Sequence, residues 1–356
     1  MVDKKDILKK YDEHISRKVL FILVSIIILF ILVILSVSIG PSNKSLEIVF
    51  YAILGKGSEK NLRIVWLARM PRVMGAILAG LGLSVAGATM QSLLRNPLGS
   101  PSTMGISSAA AFGAAFSILY LGAGNTLSSG ADAILINNPY LTTVSAFVFA
   151  MVSTVVILLL VRLIDASPAT LILTGVALGS LFQAGTLSLE YFVADETSLA
   201  AFIAWTFGDI GKGNWNKIMI LAAVVIPVAA YFIKKSWDFN ALDSGDETAK
   251  SLGVDIKRTR IMGMVLSALV TAVVVSFFGI ISFVGLVVPH IIRRMIGGDE
   301  RYLIPASVFF GAAFLLACDT AARTIISPEI LPVGILTSFM GAPLFIYVLI
   351  KGRAYW

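Results

Sequence analysis

The stretch Gly75-Ala-Ile-Leu-Ala-Gly-Leu-Gly-Leu-Ser-Val-Ala-Gly-Ala88 contains no charged residue and repeats small side chains at helical spacing. Gly80, Ser84 and Ala88 recur every fourth position and therefore share one face of a helix. Small residues let helix backbones approach closely in a membrane, where lipid provides no hydrophobic drive for helix association. The stretch lies in an apolar run near 71–94, long enough to cross a hydrocarbon layer of about 30 Å. It predicts a membrane-spanning helix in a closely packed bundle.

Similar apolar runs occur along the rest of the chain. They lie near 19–40, 103–122, 141–162, 169–193, 217–233, 259–279, 280–296, 303–325 and 331–350. The run at 280–296 follows Gly279 almost without a break and predicts a short, re-entrant-like helix that turns back into the bilayer. We therefore predict an all-α polytopic membrane protein with ten transmembrane helices.

The composition agrees with this fold class. Of the 356 residues, 57% are hydrophobic and 14% are charged, and the mean hydropathy is +0.90. A soluble enzyme of this size would expose much of that apolar surface, so this class is excluded. A single Cys excludes an internal disulfide framework, and only two His argue against a histidine-built metal centre.

The positive charge of the chain predicts its orientation. With both termini in the cytoplasm, nineteen of the 28 Lys and Arg residues fall on the inner side. We therefore attribute the net charge of +7 to the orientation of the chain in the membrane and not to nucleic-acid binding. Residues 1–18 form a basic cytoplasmic N-terminus, and 19–356 form one ten-helix domain. The first apolar run exceeds the 7–15 residues of a signal-peptide core, so we predict a retained helix.

Few polar residues lie inside the predicted spans. Asp319 and Arg323 are four residues apart and can pair on one helix face. Gln91 and Thr174 either line a path or bond neighbouring helices, and the sequence leaves both interpretations open. A chain of buried carboxylates for ion coupling is missing from the sequence, which weakens the hypothesis of a secondary transporter.

The loop 236–257 is the only sizeable cytoplasmic loop between predicted spans. Asp246 and Glu247 suit the N-terminus of a short helix, and Gly253 suits its end. Such a helix is either a rigid lever for a partner or part of a solvated loop. No G-x-x-x-x-G-K-[ST] motif occurs, so this chain cannot hold ATP in a P-loop. No H-E-x-x-H motif occurs either, which argues against a zinc protease.

Four segments together resemble the permease subunits of ABC importers for iron–siderophore complexes, haem or cobalamin. They are Arg69-Met-Pro-Arg72; Ala86-Gly-Ala-Thr-Met-Gln91 with Arg95-Asn-Pro-Leu-Gly99; Gly279-Ile-Ile-Ser-Phe-Val-Gly-Leu-Val-Val-Pro-His290 with Arg293; and Leu331-Pro-Val-Gly-Ile335 with Gly341-Ala-Pro-Leu-Phe345. The resemblance extends from about residue 65 to the end.

The loop carries a further, partial match to these permeases. Glu247, Ala249 and Gly253 keep the spacing of their E-x-A-x-x-x-G coupling motif, although Thr248 replaces the usual Ala. Asp243-Ser244 departs from the family pattern, in which an apolar residue and Leu often occur.

The resemblance implies a transport subunit and not an enzyme. Two copies would surround a central path in a prokaryotic cell membrane, with two cytoplasmic ATPase subunits and an external substrate-binding protein. ATP and Mg would be bound by the ATPase subunits, and the permease would carry no cofactor or metal of its own. The implied cargo is an iron chelate, either a siderophore complex or haem. Cobalamin is the alternative cargo, and an ion-coupled secondary transporter is the alternative mechanism.

The resemblance also implies roles for individual residues. Arg69, Arg72 and Arg323 would receive acidic residues of the binding protein, with anchoring to lipid headgroups as the alternative. Ser167-Pro168 would form an inner gate or simply start a helix. The ATPase coupling element would comprise Leu242, Asp246, Glu247, Leu252 and Gly253, with Leu242 and Leu252 giving apolar contact. Arg293, Arg294 and the segment to Arg301 are the alternative route of coupling.

Overall fold

The computed structural model describes residues 4–39, 46–123, 138–164, 168–327 and 329–351, and within these ranges it contains helices but no strands. The α-helices are α1 Lys4–Ser38, α2 Leu46–Ile53, α3 Glu59–Arg63, α4 Met70–Leu94, α5 Ile106–Ala115, α6 Pro139–Ile164, α7 Pro168–Phe192, α8 Glu196–Thr206, α9 Trp215–Lys234, α10 Ser236–Asp243, α11 Asp246–Ser251, α12 Ile256–Phe278, α13 Val284–Ile296, α14 Glu300–Ala322 and α15 Val333–Lys351. Wider π-helical turns over Ile64–Arg69 and Phe116–Tyr120 join α3 to α4 and extend α5.

Seven helices of the described chain are long and apolar enough to cross a membrane. They are α1, the continuous helix formed by α3 and α4, α6, α7, α9, α12 and α14. The apolar helices Ile106–Tyr120 and Val333–Tyr347 are shorter, and α13 has 13 residues. The polytopic all-α class is thus confirmed, and each predicted run coincides with a helix. The count of ten membrane crossings and the cytoplasmic termini stay predictions.

Besides α11, which lies in the predicted cytoplasmic loop, four short helices lie outside the predicted apolar runs. They are α2, α3, α8 and α10, which are too short or too polar to give a membrane signal. The helix α8 begins at an N-cap, because the side chain of Asp195 accepts a hydrogen bond of 2.7 Å from the backbone N–H of Ser198. At the N-terminus, α1 continues without a break from Lys4 into the apolar run, and the assignment of residues 1–18 to a basic cytoplasmic N-terminus stays a prediction.

Small residues of α4 bring it into contact with two neighbouring helices. A Cβ atom on Gly80 would clash with the backbone carbonyl of Gly311 on α14. A Cβ atom on Gly87 would clash with the carbonyl of Gly285 on α13. The close packing predicted from the Gly75–Ala88 stretch is therefore confirmed, and it places α4 in the centre of the bundle.

The apolar sequence from 259 to 296 forms two helices, as the sequence predicted. Gly279 ends α12 with φ +82, a conformation that side chains with a Cβ rarely adopt. A Cβ there would also clash with the carbonyl of Trp205. Phe283 has φ +67 and immediately precedes α13. The short helix thus begins at Val284, four residues later than the predicted run.

Candidate functional site

The loop 236–257 folds into α10 and α11, two short helices that we call the coupling segment. The predicted short helix at Asp246 is confirmed as α11. The helix ends in a Schellman motif. The N–H of Gly253 donates to the carbonyl oxygen of Lys250, and the N–H of Val254 donates to that of Ala249, each at 3.0 Å. Gly253 has φ +81, so the predicted glycine stop is also confirmed.

The coupling segment has a buried side and an exposed side. Ala249 is buried, whereas Glu247, Leu252 and Gly253 are exposed. Leu242 is only 1% exposed and belongs to the apolar core. Its predicted apolar contact with a partner is therefore corrected, because a side chain buried within its own chain offers no surface. Leu252, which is 68% exposed, is free to make such a contact.

Arg95 attaches the coupling segment to the end of α4. It has φ +44 and ends that helix, which turns the following Asn-Pro-Leu-Gly segment back toward the bundle. Its Nε donates a 2.7 Å hydrogen bond to the carbonyl oxygen of Leu242, and its terminal nitrogen pairs with Asp246. Asp246 also receives a 2.8 Å hydrogen bond from Arg260 on α12. Asp246 is thus an internal anchor of the segment.

A second set of polar contacts lies beside the segment, at the start of α14. Glu300 is fully buried and accepts hydrogen bonds from Ser92 on α4, at 2.7 Å, and from Arg293 on α13, at 2.9 Å. The hydroxyl of Ser92 also lies 3.3 Å from a carboxylate oxygen of Asp243 on α10. Arg293, one of the residues in the alternative coupling route, is therefore in contact with the same part of the chain as the coupling segment.

Asp299 begins α14 and is held by cationic and amide partners. Its carboxylate accepts hydrogen bonds from Arg301 at 2.8 and 2.6 Å, from Asn240 at 2.9 Å and from Lys18 at 3.3 Å. Burial alone would raise the pKa of Asp299, but these hydrogen bonds outweigh it and hold the pKa well below its usual range. The carboxylate therefore stays ionised at physiological pH.

The three predicted docking arginines have partners within the chain. Arg69 donates to the carbonyl oxygens of Val37 and Ser38 at 2.6 and 2.8 Å, and Arg323 donates to those of Ser36 and Ile39 at 3.2 and 2.9 Å. Both side chains thus cover the C-terminal end of α1, where carbonyl groups lack helical partners.

The third arginine, Arg72, pairs with Asp319 of α14, which is fully buried. The predicted pair of Asp319 and Arg323 is confirmed, with Arg323 Nε 3.1 Å from the carboxylate. Docking of a partner by these arginines stays a prediction.

The predicted path and gate residues that the structure describes lie on α4 and α7. Gln91 is buried and donates a 3.2 Å hydrogen bond to the carbonyl oxygen of Leu286, so it joins α4 to α13. Thr174 is half-buried on α7. Pro168 is the first residue of α7, which agrees with the helix-start interpretation, and Ser167 lies outside the described residues. The roles of these residues in a path or gate stay predictions.

The sequence interpretation missed the polar residues that join the coupling segment to the membrane helices. Asn240, Ser92, Glu300 and Lys18 come from four distant parts of the chain, and their pairing has no local signature. Asp299 was recognisable as an N-cap, because Asp often precedes an apolar helix. In the described part of the chain, no group of three or more His, Cys, Asp or Glu side chains is placed to hold a metal ion.

Two features define the class of the protein. It has a bundle of apolar helices joined to the two short helices of the coupling segment, and its sequence contains no P-loop motif. These features are those of a permease subunit of an ABC importer. The chain belongs to the FecCD transport family, whose profile matches residues 28–351. It is therefore a transport component of a prokaryotic membrane.

Relatives and solved structures support this assignment. An ABC transporter permease protein of Methanocaldococcus jannaschii is 51% identical over 97% of this chain and 98% of its own length. The hemin transport system permease protein of Yersinia pestis is 34% identical over 92% of this chain and 95% of its own length. A solved structure reported as an inward-facing conformation of a metal-chelate type ABC transporter has a TM-score of 0.78 and 28% identity, covering 93% of this chain and 98% of that one.

Other relatives differ in their named cargo. An Fe(3+)-citrate import permease of Bacillus subtilis is 34% identical over 96% of this chain and 98% of its own length. A vitamin B12 import permease of Vibrio cholerae is 32% identical over 83% of this chain and 85% of its own length. The chain is thus the permease of a type II ABC importer, in a family whose members carry haem, ferric citrate or cobalamin.

Proposed function

We propose that the protein is the membrane subunit of an ATP-driven, binding-protein-dependent importer that carries an iron chelate into the cytoplasm. One observation carries the proposal. The coupling segment is bonded to α4, α12 and α14, yet it exposes Glu247, Leu252 and Gly253. A rigid element with these properties is suited to rest in a cleft of an ATPase subunit and to transmit its motion to the membrane helices. ATP and Mg are bound by that partner.

The second proposed partner is another copy of the chain. Ser180 and Gln183 lie on α7, near the middle of a membrane span, and both are exposed. Polar side chains at this depth are costly in contact with lipid and are tolerated against protein or water. We therefore place the face of α7 that carries Ser180 and Gln183 beside a second copy and a central path, and Thr174, on another side of the same helix, is a separate candidate path residue. Ser167 and Pro168, at the inner end of α7, are the proposed gate.

The third proposed partner is an external binding protein. Arg69, Arg72 and Arg323 lie close together at the end of the bundle opposite the coupling segment, around the end of α1. Arginine can hold a carboxylate by two hydrogen bonds. These arginines already have partners within the chain. We therefore expect only some of their N–H donors to be available to acidic residues of the binding protein.

The proposed cargo rests on relatives of comparable similarity. Permeases named for hemin and Fe(3+)-citrate favour a ferric siderophore or haem, and one named for vitamin B12 keeps cobalamin as the alternative. We propose the iron chelate. In a homodimer that transports bulky cargo, the external binding protein would select the ligand.

Reconstitution tests the proposed function directly. The permease and its cognate ATPase would be placed in liposomes, and uptake of labelled ferric siderophore, haem and cobalamin would be measured with the binding protein. We expect uptake only with hydrolysable ATP, and an ATPase with its Walker A Lys replaced by Ala is the matched control. Uptake driven by an ion gradient without ATP would instead establish a secondary transporter. ATP-driven uptake of cobalamin alone would correct the cargo and keep the mechanism.

A further inference from the structure

The side chain of Asn240 joins the coupling segment to the first turn of α14 by two hydrogen bonds. Its Oδ1 accepts a 2.7 Å hydrogen bond from the backbone N–H of Glu300. Its Nδ2 donates a 2.9 Å hydrogen bond to Asp299 Oδ1. An uncharged amide can donate and accept at once, so it satisfies both groups without changing the charge balance. Asn240 thereby fixes α10 in distance and in orientation relative to α14.

A second contact strengthens the same junction. Arg301, in the first turn of α14, lies over the ring of Trp237 on α10, with its guanidinium carbon 4.3 Å from the ring centroid. Trp237 and Asn240 are three residues apart and therefore lie on the same side of the short helix α10. Trp237 is 65% exposed, so little of this contact is shielded from solvent. Asn240 supplies the directional part of the contact.

The residues that Asn240 holds are themselves connected to other membrane helices. Asp299 binds Lys18 of α1, whose ammonium group also lies 4.9 Å from the ring centroid of Tyr302. Glu300 binds Ser92 of α4 and Arg293 of α13. A displacement of the first turn of α14 must therefore move or break contacts to three further helices.

The opposite end of α14 carries the contacts of the proposed docking cluster. Asp319 holds Arg72 of α4, and Arg323 holds the end of α1. The helix has 23 residues, which corresponds to about 35 Å of length. Because it packs closely on α4 through Gly80 and Gly311, α14 is suited to move as a rigid body.

We propose that Asn240 is a positioning residue for energy coupling, which transfers displacements of the coupling segment to α14 and through it to α1, α4 and α13. This inference rests on the proposed function as an ATP-driven importer. It assigns to Asn240 a role separate from contact with the ATPase, because its side chain is directed at the permease's own membrane helices. The hydrogen bond from Asn240 to the carboxylate of Asp299 is charge-assisted, and such bonds are stronger than those between neutral groups.

Replacement of Asn240 by Asp tests the proposal with little change in size. The variant Asn240→Asp keeps an acceptor for the N–H of Glu300, loses the donor to Asp299 and places a like charge beside it. In the reconstituted importer we expect ATP hydrolysis to continue, while the amount of cargo transported per ATP falls about tenfold, the effect of losing one hydrogen bond to a charged group. The matched control is Asn214→Asp, the same chemical change at the N-cap of α9, which should leave this ratio unchanged.

An exchange of donor and acceptor separates positioning from simple stability. The double variant Asn240→Asp with Asp299→Asn restores a donor–acceptor pair and conserves the net charge of the junction. We expect the double variant to recover most of the cargo transported per ATP. The single variant Asp299→Asn should not transport more cargo per ATP than the wild type. If Asn240→Asp does not assemble with the ATPase, Asn240→Ala, which removes both hydrogen bonds and adds no charge, takes its place in the same measurement.

The outcomes distinguish this inference from the proposed function. If the wild-type complex transports its cargo with ATP and the Asn240 variants transport equally well per ATP, the positioning role is wrong and the proposed function stands. If the variants lose coupling only in proportion to their thermal stability, and the double variant is not rescued, the residue is merely structural. A wild-type complex without ATP-driven uptake overturns both proposals.

Discussion

Arg72 of α4 and Asp319 of α14 form a two-oxygen contact at the end of the bundle opposite the coupling segment. Arg72 Nε lies 3.0 and 3.2 Å from the two carboxylate oxygens of Asp319, and its terminal nitrogen lies 2.9 Å from one of them. Arg323 approaches the same carboxylate at 3.1 Å. A single buried carboxylate is therefore shared by two arginines, and it connects α4 to α14.

Removing this charge should destabilise the bundle. In Asp319→Asn, two largely buried guanidinium groups lose the carboxylate that they share, and Arg72 keeps only the longer contact to Asp209, while the side chain at 319 keeps its size. We expect a loss of about 3 kcal/mol in the free energy of unfolding, the usual cost of breaking a buried ion pair. The measurement is unfolding in detergent or lipid. Asp209→Asn is the control, because Asp209 is 3.6 Å from Arg72 and its side chain is more exposed; equal losses would contradict the prediction.

Docking of the binding protein is predicted to depend on the arginines themselves. Changing Arg69, Arg72 and Arg323 together to Gln should lower the affinity for the binding protein by at least about tenfold, because charge-assisted hydrogen bonds are lost. Asp319→Asn is the matched control, since it disturbs the same cluster but keeps all three positive charges. Binding would be measured in lipid nanodiscs. A similar loss of affinity in both variants would mean that the arginines act only through the fold.

The end of α11 is predicted to be essential for coupling. Gly253 has φ +81, and no atom lies within 4 Å of the position that a Cβ would take. Val would therefore meet no obstacle but would strain the backbone by about 1–2 kcal/mol and change the shape of the segment. We expect Gly253→Val, and separately Glu247→Lys, to reduce stimulated ATP hydrolysis and uptake together.

Gly55 offers a control for the strain in this experiment. It has φ +74 with open space around the missing Cβ, and it lies outside the coupling segment. Gly55→Val should leave ATP hydrolysis and uptake nearly normal. Normal transport in both Gly253→Val and Glu247→Lys would show that coupling takes another route, such as the one through Arg293 and Arg294.

Leu252 and Leu242 should respond to mutation in different ways. Leu252 is 68% exposed, so Leu252→Ser should weaken binding of the ATPase and leave the permease folded. Leu242 is 1% exposed, so Leu242→Ala should cost about 2–5 kcal/mol of stability, as buried Leu-to-Ala changes do. Co-purification of the ATPase and the thermal midpoint of the permease give the two readouts. A destabilised Leu252→Ser variant with normal ATPase binding would contradict the assignment.

The close contact between α4 and α13 should tolerate no side chain at Gly87. Gly87→Ala places a methyl group against the carbonyl of Gly285, and overpacking of this kind usually costs about 1–3 kcal/mol. At Gly179, the nearest atom to an added Cβ is 3.5 Å away, so Gly179→Ala is the tolerated control. Comparing the thermal midpoints of the two variants checks the prediction, and equal midpoints would disprove the packing explanation.

The sequence predicted some features of the coupling segment and not others. Acidic residues at Asp246 and Glu247 and a glycine at 253 predicted a short helix correctly, because capping and positive φ are local properties. The buried side of the preceding helix, α10, was not predictable in the same way. Leu242 was expected to face a partner but lies in the core, since which side of a short helix is covered depends on helices elsewhere in the chain.

The sequence by itself determined the membrane-spanning class, the apolar helices, the split at Gly279 and the small-residue packing of α4. These properties follow from the hydrophobicity and size of neighbouring residues, which act over one or a few helical turns. Only the tertiary structure decided that Arg72 binds Asp319, 247 residues away, and that Asn240 meets Asp299 and Glu300. Pairing of this kind depends on which helices lie side by side, because a hydrogen bond forms only when the packing of the whole bundle brings donor and acceptor within about 3 Å.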